Sequence, residues 1–178
     1  LQAMYNPPNW PHLPTIGEVR NMAYQSLLNG GQGLLYYSFN ENGFELRHSE
    51  LWPGLLEFRP EVELFGRLVT AAERVDEGGG PDSRWTLWRD GNEWYAAAVN
   101  TGEQSRQVTI PLASAGYRAQ LLYGDIQSTM DVQTDELNIE LGPLQALLYR
   151  IDPIQAPVQQ PVGSTEGGLK ASAGSFPP

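Results

Sequence analysis

The chain has 178 residues, 40% of them hydrophobic, enough for one ordinary domain or two small ones. Its formal charge of −10, from 11 basic against 21 acidic residues, leaves no basic stripe to neutralise phosphates and argues against nucleic acid or an anionic membrane surface as partner. Cysteine is absent, so disulfides, thiolate metal sites and a cysteine nucleophile are all excluded.

No apolar run approaches the ~20 residues needed to cross a bilayer, and the start lacks the charged-then-apolar pattern of a signal peptide. The chain opens at Leu1 rather than Met and reads as a processed or cut product. A secreted or periplasmic location is favoured over a cytoplasmic one, although the lack of cysteine does not by itself fix the compartment.

In chain order, the apolar run "LQAMYN" is followed by the proline-rich loop "PPNWPHLP". Thr15 and Glu18 then form a capping box, each side chain satisfying the other's free backbone N–H. Ile16, Val19, Ala23 and Leu27 recur at helical spacing, and Gly30-Gly31 stop the helix as a left-handed cap. "GLLYYSF" reads as a strand buried on both faces, which predicts a cost on the order of 3–5 kcal/mol for Leu35→Asp or Tyr36→Asp.

The loop "NENGFELRHSELWPG" leads to a second helix expected to begin at Pro60, with Leu64, Leu68, Ala71 or Ala72, and Val75 as its apolar stripe. "DEGGGPDS" reads as a linker between domains.

Beyond it the period changes to two. "RWTLWRDGNEWYAAAVN" is a hairpin turning at Asp90-Gly91, and alternating runs at 108–112, 117–123 and 137–141 follow, closed by "LQALLYRI". Roughly seven short strands with local turns argue an antiparallel β-sandwich able to fold alone. The resulting division is 1–77 as a strand–helix–strand–helix segment, 78–84 as linker, 85–152 as sandwich, and 153–178 as a Pro/Gly/Ser-rich tail expected to be disordered.

Strand, helix, strand, helix implies a parallel pair joined by a right-handed crossover. Two parallel strands do not make a stable sheet, so the first segment demands strands from elsewhere, either another chain or missing N-terminal sequence. "PTIGEVRNMAYQSLLNGGQGLLYYSFN" resembles the last two strand–helix units of the (β/α)8 barrels of bacterial glycoside hydrolases. The later part, from "WRDGNEWYAAAVNTG" to "IELGPLQALLYRI", looks like the accessory β-sandwich that follows such barrels. The fold class implied is α/β plus all-β, a partial parallel β/α barrel followed by an antiparallel sandwich. The resemblance further implies a carbohydrate partner, and hydrolysis of a polysaccharide or oligosaccharide by the complete enzyme.

Glycoside hydrolysis usually needs two carboxyl groups, ~5–5.5 Å apart for retention or ~6.5–9.5 Å for inversion. The two strand ends, "MYN" and "SFN", carry none. Glu41 and Glu45, in the following loop, are the weak catalytic candidates, and the competing reading is two solvated loop acids. The isolated chain is therefore expected to be inactive.

Sugar binding is better supplied, because pyranose rings stack on flat aromatic faces. Trp10, Tyr37, Asn40 and Trp52 are the candidate substrate-binding residues, with His12 and Asn42 nearby. The competing reading makes Tyr36 and Tyr37 barrel core and Trp52 an anchor for the second helix. Trp85 and Trp88 have opposite strand parity, so one of them should pack on the helices. A sugar platform formed with Trp94 is the alternative. His12 and His48 define no metal site, and no phosphate loop or other cofactor motif is present. A non-catalytic carbohydrate-binding sandwich and a structural module completing its sheet with a partner chain are the other readings.

Overall fold

The computed structural model describes residues 1, 3, 12–41, 43–113, 116–124, 129–132 and 134–153. Trp10, Asn42, the "MYN" strand end and the tail beyond Pro153 lie outside the described residues.

Helix α1 (Ile16–Leu28) begins as its sequence dictates. The Thr15 hydroxyl accepts from the Glu18 N–H at 3.2 Å, and the Glu18 carboxylate accepts from the Thr15 N–H at 2.8 Å. It ends in two paired bonds, Gly31 N–H to Ser26 C=O at 2.8 Å and Gly30 N–H to Leu27 C=O at 3.1 Å, with Gly30 at φ +92°. This is the Schellman pattern, and the left-handed position is why glycine is there.

Helix α2 (Leu51–Ala71) starts nine residues before Pro60, which sits inside it. An internal proline leaves the carbonyl four residues earlier without its helical donor. Here that carbonyl belongs to Leu56, and both residues lie on the exposed side of the helix, where solvent can reach. The true start signal is Pro53, in the first turn. The buried stripe is Leu51, Phe58, Glu61, Phe65 and Leu68, and Val75 is not part of it.

Between the helices lies a short hairpin, β1 (Asn40–Glu41) with β2 (Phe44–Glu45), and a 3-10 turn at Leu46–His48. The rest is antiparallel: β3 (Glu73–Gly80), β4 (Ser83–Asp90), β5 (Glu93–Asn100), β6 (Arg106–Pro111), β7 (Tyr117–Tyr123), β8 (Thr129–Val132), β9 (Glu136–Leu141) and β10 (Ala146–Pro153). Six of these make one sheet in the order β3-β4-β5-β10-β7-β8, and β6 pairs with β9 in a second.

The expected linker is therefore not a tether. Residues 78–84 form the end of β3, its turn and the start of β4, because Gly78 gives the Trp85 ring room to lie across its backbone. A Cβ there would come within 2.7 Å of that ring. The β4–β5 turn is also one residue later than expected: Asp90 pairs with Glu93, leaving Gly91 and Asn92 as the turn residues, with Gly91 at φ +62°.

The large sheet is apolar on both faces. Trp85, Leu87, Ala96, Ala98, Leu147 and Tyr149 face β6 and β9 and pack on Val108, Ile110, Leu137 and Ile139. Trp88, Tyr95, Ala97, Val99 and Leu148 face the helices and pack on Tyr24, Leu27, Phe65 and Leu68. The parity argument for the tryptophans holds: Trp88 meets Phe65 edge-on at 5.5 Å, while Trp85 lies between the sheets. A segment cut to 84–152 would bare the helix-facing side and lose β3.

The join is made by Asn21, buried in α1, whose side-chain amide donates to Asn100 C=O at 2.8 Å and Leu144 C=O at 2.7 Å. Asn100, fully buried, in turn donates to Gln104 C=O and Gly142 C=O and accepts from the Gly102 N–H.

A partial parallel barrel is not what the described residues form; mostly antiparallel sheet with two helices is. One parallel contact is present. Tyr37 N–H donates to Leu1 C=O at 2.9 Å, and Tyr37 C=O accepts from Ala3 N–H at 2.7 Å. A single residue bonded to i−1 and i+1 of its neighbour is the parallel ladder pattern. Among the described residues, the run "GLLYYSF" is covered on one face only. Leu34, Tyr36 and Ser38 turn toward the helices, whereas Leu35 is 83% exposed and Tyr37 and Phe39 are about half exposed. The large cost expected for Leu35→Asp is therefore not supported by the structure, since among the described residues Leu35 has little around it to desolvate a charge.

Two measurements check this account. Asn21→Ala should destabilise the chain by on the order of 2 kcal/mol in urea unfolding, because the buried Asn100 carbonyl and the part-buried Leu144 carbonyl lose their donor together. Glu18, held below the usual carboxylate range first by the Thr15 N–H, stabilises the fold above its unfolded pKa. That contribution is lost as pH falls through the carboxylate range, so Glu18→Gln should flatten the acid limb of a Tm-versus-pH curve.

Candidate functional site

The strand that pairs with Leu1 and Ala3 runs into the β1–β2 hairpin, and α2 starts a few residues later. This brings Tyr37, Asn40, Glu41, Glu45 and Trp52 into one neighbourhood. Phe39, which the sequence analysis passed over, is its centre. Its ring meets Trp52 edge-on at 5.9 Å, the Arg47 guanidinium lies over it at 5.7 Å, and its carbonyl accepts from the Leu46 N–H at 2.8 Å. A phenylalanine between two strand-like residues gives no signal of this in sequence; only the closure of the hairpin reveals it.

The hairpin register decides what the two glutamates can do. Asn40 is opposite Glu45, and Glu41 is opposite Phe44. Cross-strand partners share a face and neighbours in sequence do not. Glu41 and Glu45 therefore project from opposite faces and do not form a cooperating carboxyl pair.

Each is also engaged separately. Glu45 pairs with Arg47 and, at 3.2 Å, with His48 Nδ1. Glu41 accepts from the Tyr37 hydroxyl, and that bond, first among the causes, raises the Tyr37 pKa above the usual tyrosine range. Asn40 shares Glu45's face and is exposed.

Trp52 is half-buried in the first turn of α2, packed with Leu46, Leu51 and Phe58, so it anchors the helix as well as flanking the hairpin. Leu34, Leu35, Tyr36, Phe39, Trp52 and Leu56 border a groove of about 500 Å3 along α2. His12 lies apart from the hairpin, 3.3 Å from Glu18. Among the described residues no group of three or more His, Cys, Asp or Glu is placed to hold a metal ion.

Behind the site, α1 and α2 are locked by a cluster that the sequence did not announce. Glu61, 1% exposed, accepts from Arg20 Nε at 3.0 and 3.1 Å and from the Tyr24 hydroxyl at 2.7 Å. Burial, and after it the Glu61 charge, pushes Tyr24 well above the usual tyrosine range. With the helix starting at Leu51, Glu61 falls on the buried stripe with Phe58, Phe65 and Leu68.

Among the described residues, the tryptophans of the large sheet form no exposed aromatic platform. Trp85 and Trp88 are buried, and Trp94 is half-buried with the Arg89 guanidinium over its ring.

This arrangement has solved counterparts. Its fold is shared with glycoside hydrolases. A GH27 β-L-arabinopyranosidase from Geobacillus stearothermophilus superposes with a TM-score of 0.56 at 20% identity, over 79% of this chain and 31% of its own. An α-amylase from Geobacillus thermoleovorans gives 0.57 at 12% identity, over 77% and 34%. α-Galactosidase I from Mortierella vinacea gives 0.55 at 10%, over 86% and 38%. The chain thus spans about a third of the length of each. No family model matches it, and neither does any curated protein. Among the described residues no helix is long and apolar enough to cross a membrane.

The hairpin assignment has a direct check. Glu41→Gln removes the carboxylate that favours the neutral phenol, so the Tyr37 titration followed by ultraviolet absorbance should move down toward the ordinary tyrosine range.

Proposed function

We propose that this chain is the C-terminal portion of a bacterial glycoside hydrolase acting on a polysaccharide or oligosaccharide. It would supply part of the sugar-binding face and an accessory antiparallel sandwich, but not the catalytic acid/base pair. The observation that carries this reading is the parallel contact of Leu1 and Ala3 with Tyr37, backed by α1 and α2 and followed at once by an aromatic, acidic hairpin. Barrel enzymes build their sites from the segments that follow such strands.

In this reading Tyr37 and Trp52, with Trp10, present ring faces or edges to a sugar, and Asn40 offers an amide to its hydroxyls. Glu41 and Glu45 accept hydroxyl hydrogen bonds. Their opposite orientation is why they are not assigned to acid and base, since a displacement at the anomeric carbon needs both carboxyl groups flanking one bond. A non-catalytic sandwich that binds carbohydrate by itself is disfavoured by the burial of Trp85 and Trp88. A partner chain supplying the remaining strands stays compatible with the bare face of the 34–39 run.

Incubation of the isolated chain with plant and microbial glycans should give no new reducing ends. Weak binding, read from tryptophan fluorescence, should be lost in Trp10→Ala. Turnover that disappears in Glu41→Gln or Glu45→Gln would overturn the reading and make that glutamate catalytic.

A further inference from the structure

The two sheets of the sandwich leave an opening along β6, apart from the hairpin. Among the described residues β6 has β9 on one edge and no strand on the other. The bond from Leu112 N–H to Asp135 C=O, 2.7 Å long, sets the phase of the β6–β9 ladder. In an antiparallel pair, residues that exchange bonds with the partner strand alternate with residues whose N–H and C=O point outward. Counting back by two, Ile110 and Val108 bond to β9, while Gln107 and Thr109 turn their N–H and C=O to the open edge. Pro111 is next on that edge, where its missing N–H costs no ladder bond.

Between this edge and the β3–β4 turn lies a cavity of about 290 Å3. Gly79, Gly80 and Ser83 form one wall, residues 107–109 form the other, and Trp85 closes it on the core side. The turn is fixed by contacts of its own. Asp82 pairs with Arg106 at 2.5 Å, its carbonyl accepts from the Thr101 N–H at 2.8 Å, and Gly80 N–H donates to Ser83 Oγ at 3.1 Å. The Trp85 indole N–H has no acceptor among the described residues. No buried side-chain nitrogen or oxygen among them goes unpaired, so this N–H keeps contact with solvent through the opening that Trp85 lines.

The lining selects the ligand. It holds no Asp, Glu, Lys, Arg or His, so it suits a neutral molecule. Donors, the indole N–H and two peptide N–H groups, stand beside acceptors, two peptide carbonyls and the Thr109 hydroxyl, whose own proton goes to Asn138 Oδ1 at 2.7 Å. The Gln107 amide adds one more of each. Groups that donate and accept at once match such a mixture, and those are hydroxyls. At about 290 Å3 the cavity is at the small end of ligand pockets, roughly 300–1,000 Å3, and takes one ring.

We propose that this cavity is a second carbohydrate subsite, holding one neutral sugar residue edge-on against the Trp85 N–H rather than stacked on a ring face. The geometry alone calls for a neutral polyol of one ring; the choice of a sugar rests on the reading of the chain as part of a glycoside hydrolase. The large sheet lies between this subsite and the helix layer that carries the hairpin, so the two sites hold different sugar residues.

The test uses the whole chain labelled with nitrogen-15, in which each of the five tryptophans gives its own indole signal. Methyl α-D-glucopyranoside and methyl α-D-galactopyranoside are the probes. At least one should shift the Trp85 indole N–H and the Gln107 and Thr109 amides along a single saturable curve. Gln107→Ala, at an exposed position, should weaken that binding by about threefold to tenfold, the loss of one hydrogen bond. Methyl β-D-glucuronide should bind at least about fivefold more weakly than the neutral glycoside, since no cation lines the cavity.

The absence of saturation up to about 100 mM would overturn the proposal. So would a curve unchanged in Gln107→Ala, a glucuronide that binds as well as the neutral glycoside, or an equal response to ethylene glycol. Shifts confined to the Trp10 and Trp52 indoles would overturn it as well, and would leave the sugar-binding face of the proposed function intact. Saturable shifts at Trp85 with none at Trp10 or Trp52 uphold the subsite and remove that face.

Discussion

The structure depends on one constraint: its central strands are apolar on both faces and need a cover on each. Every residue of β5 from Tyr95 to Asn100 is buried, and β10 beside it is buried from Ala146 to Tyr149. The β6–β9 pair covers one side, and α1 with the second half of α2 covers the other. The helices are thus as much part of the sheet's core as its second layer is. At about 25 cal/mol per Å2, burying Trp88, Phe65 and Tyr24 together outweighs any single polar contact at the join. The polar contacts decide alignment instead. Asn21 reaches two carbonyls that only one docking of α1 brings together.

The same helices serve two clients. The C-terminal half of α2 faces the large sheet through Phe65 and Leu68, while its N-terminal half packs on the 34–39 run through Leu51 and Phe58. The buried Glu61 with Arg20 and Tyr24 sits between these two halves. A buried ion pair adds little net stability, because desolvation offsets its attraction, but removing one partner leaves an uncompensated charge. Its geometric effect is to fix α1 against α2 in one register, which carries the hairpin and the sheet as a unit.

Much of this was readable in residues and some was not. The capping box at Thr15 and Glu18, the glycine stop, the alternating strands and the split roles of Trp85 and Trp88 follow from local rules that tertiary contacts did not override. Three features were misread for physical reasons. Pro60 signals a helix start only if the preceding residues are not helical; here Leu51–Arg59 are, and solvent tolerates the proline. "DEGGGPDS" has linker composition, yet Gly78 is required by the Trp85 ring, a reason invisible without the pairing. "GLLYYSF" carries the composition of a strand covered twice, and only one cover lies within the described residues. At the site, the aromatic and acidic composition of the loop was evident, but the opposed faces of Glu41 and Glu45 depend on the hairpin register. Phe39 and the Glu61 cluster had no local pattern to give them away.

The ribbon β3–β4 replaces the tether that composition suggested, and this bears on motion. A glycine-rich linker would let the hairpin region and the large sheet swing independently, exploring many separations. Instead β3 follows Ala72 directly and is laddered to β4 along its length, with the Arg74 guanidinium reaching back to the Leu28 carbonyl at the end of α1. A hinge at this junction would have to break those bonds and part Trp88 from Phe65. Any ligand long enough to touch both regions would meet a preset spacing, and would be measured by it like an object against callipers rather than grasped by a closing hand.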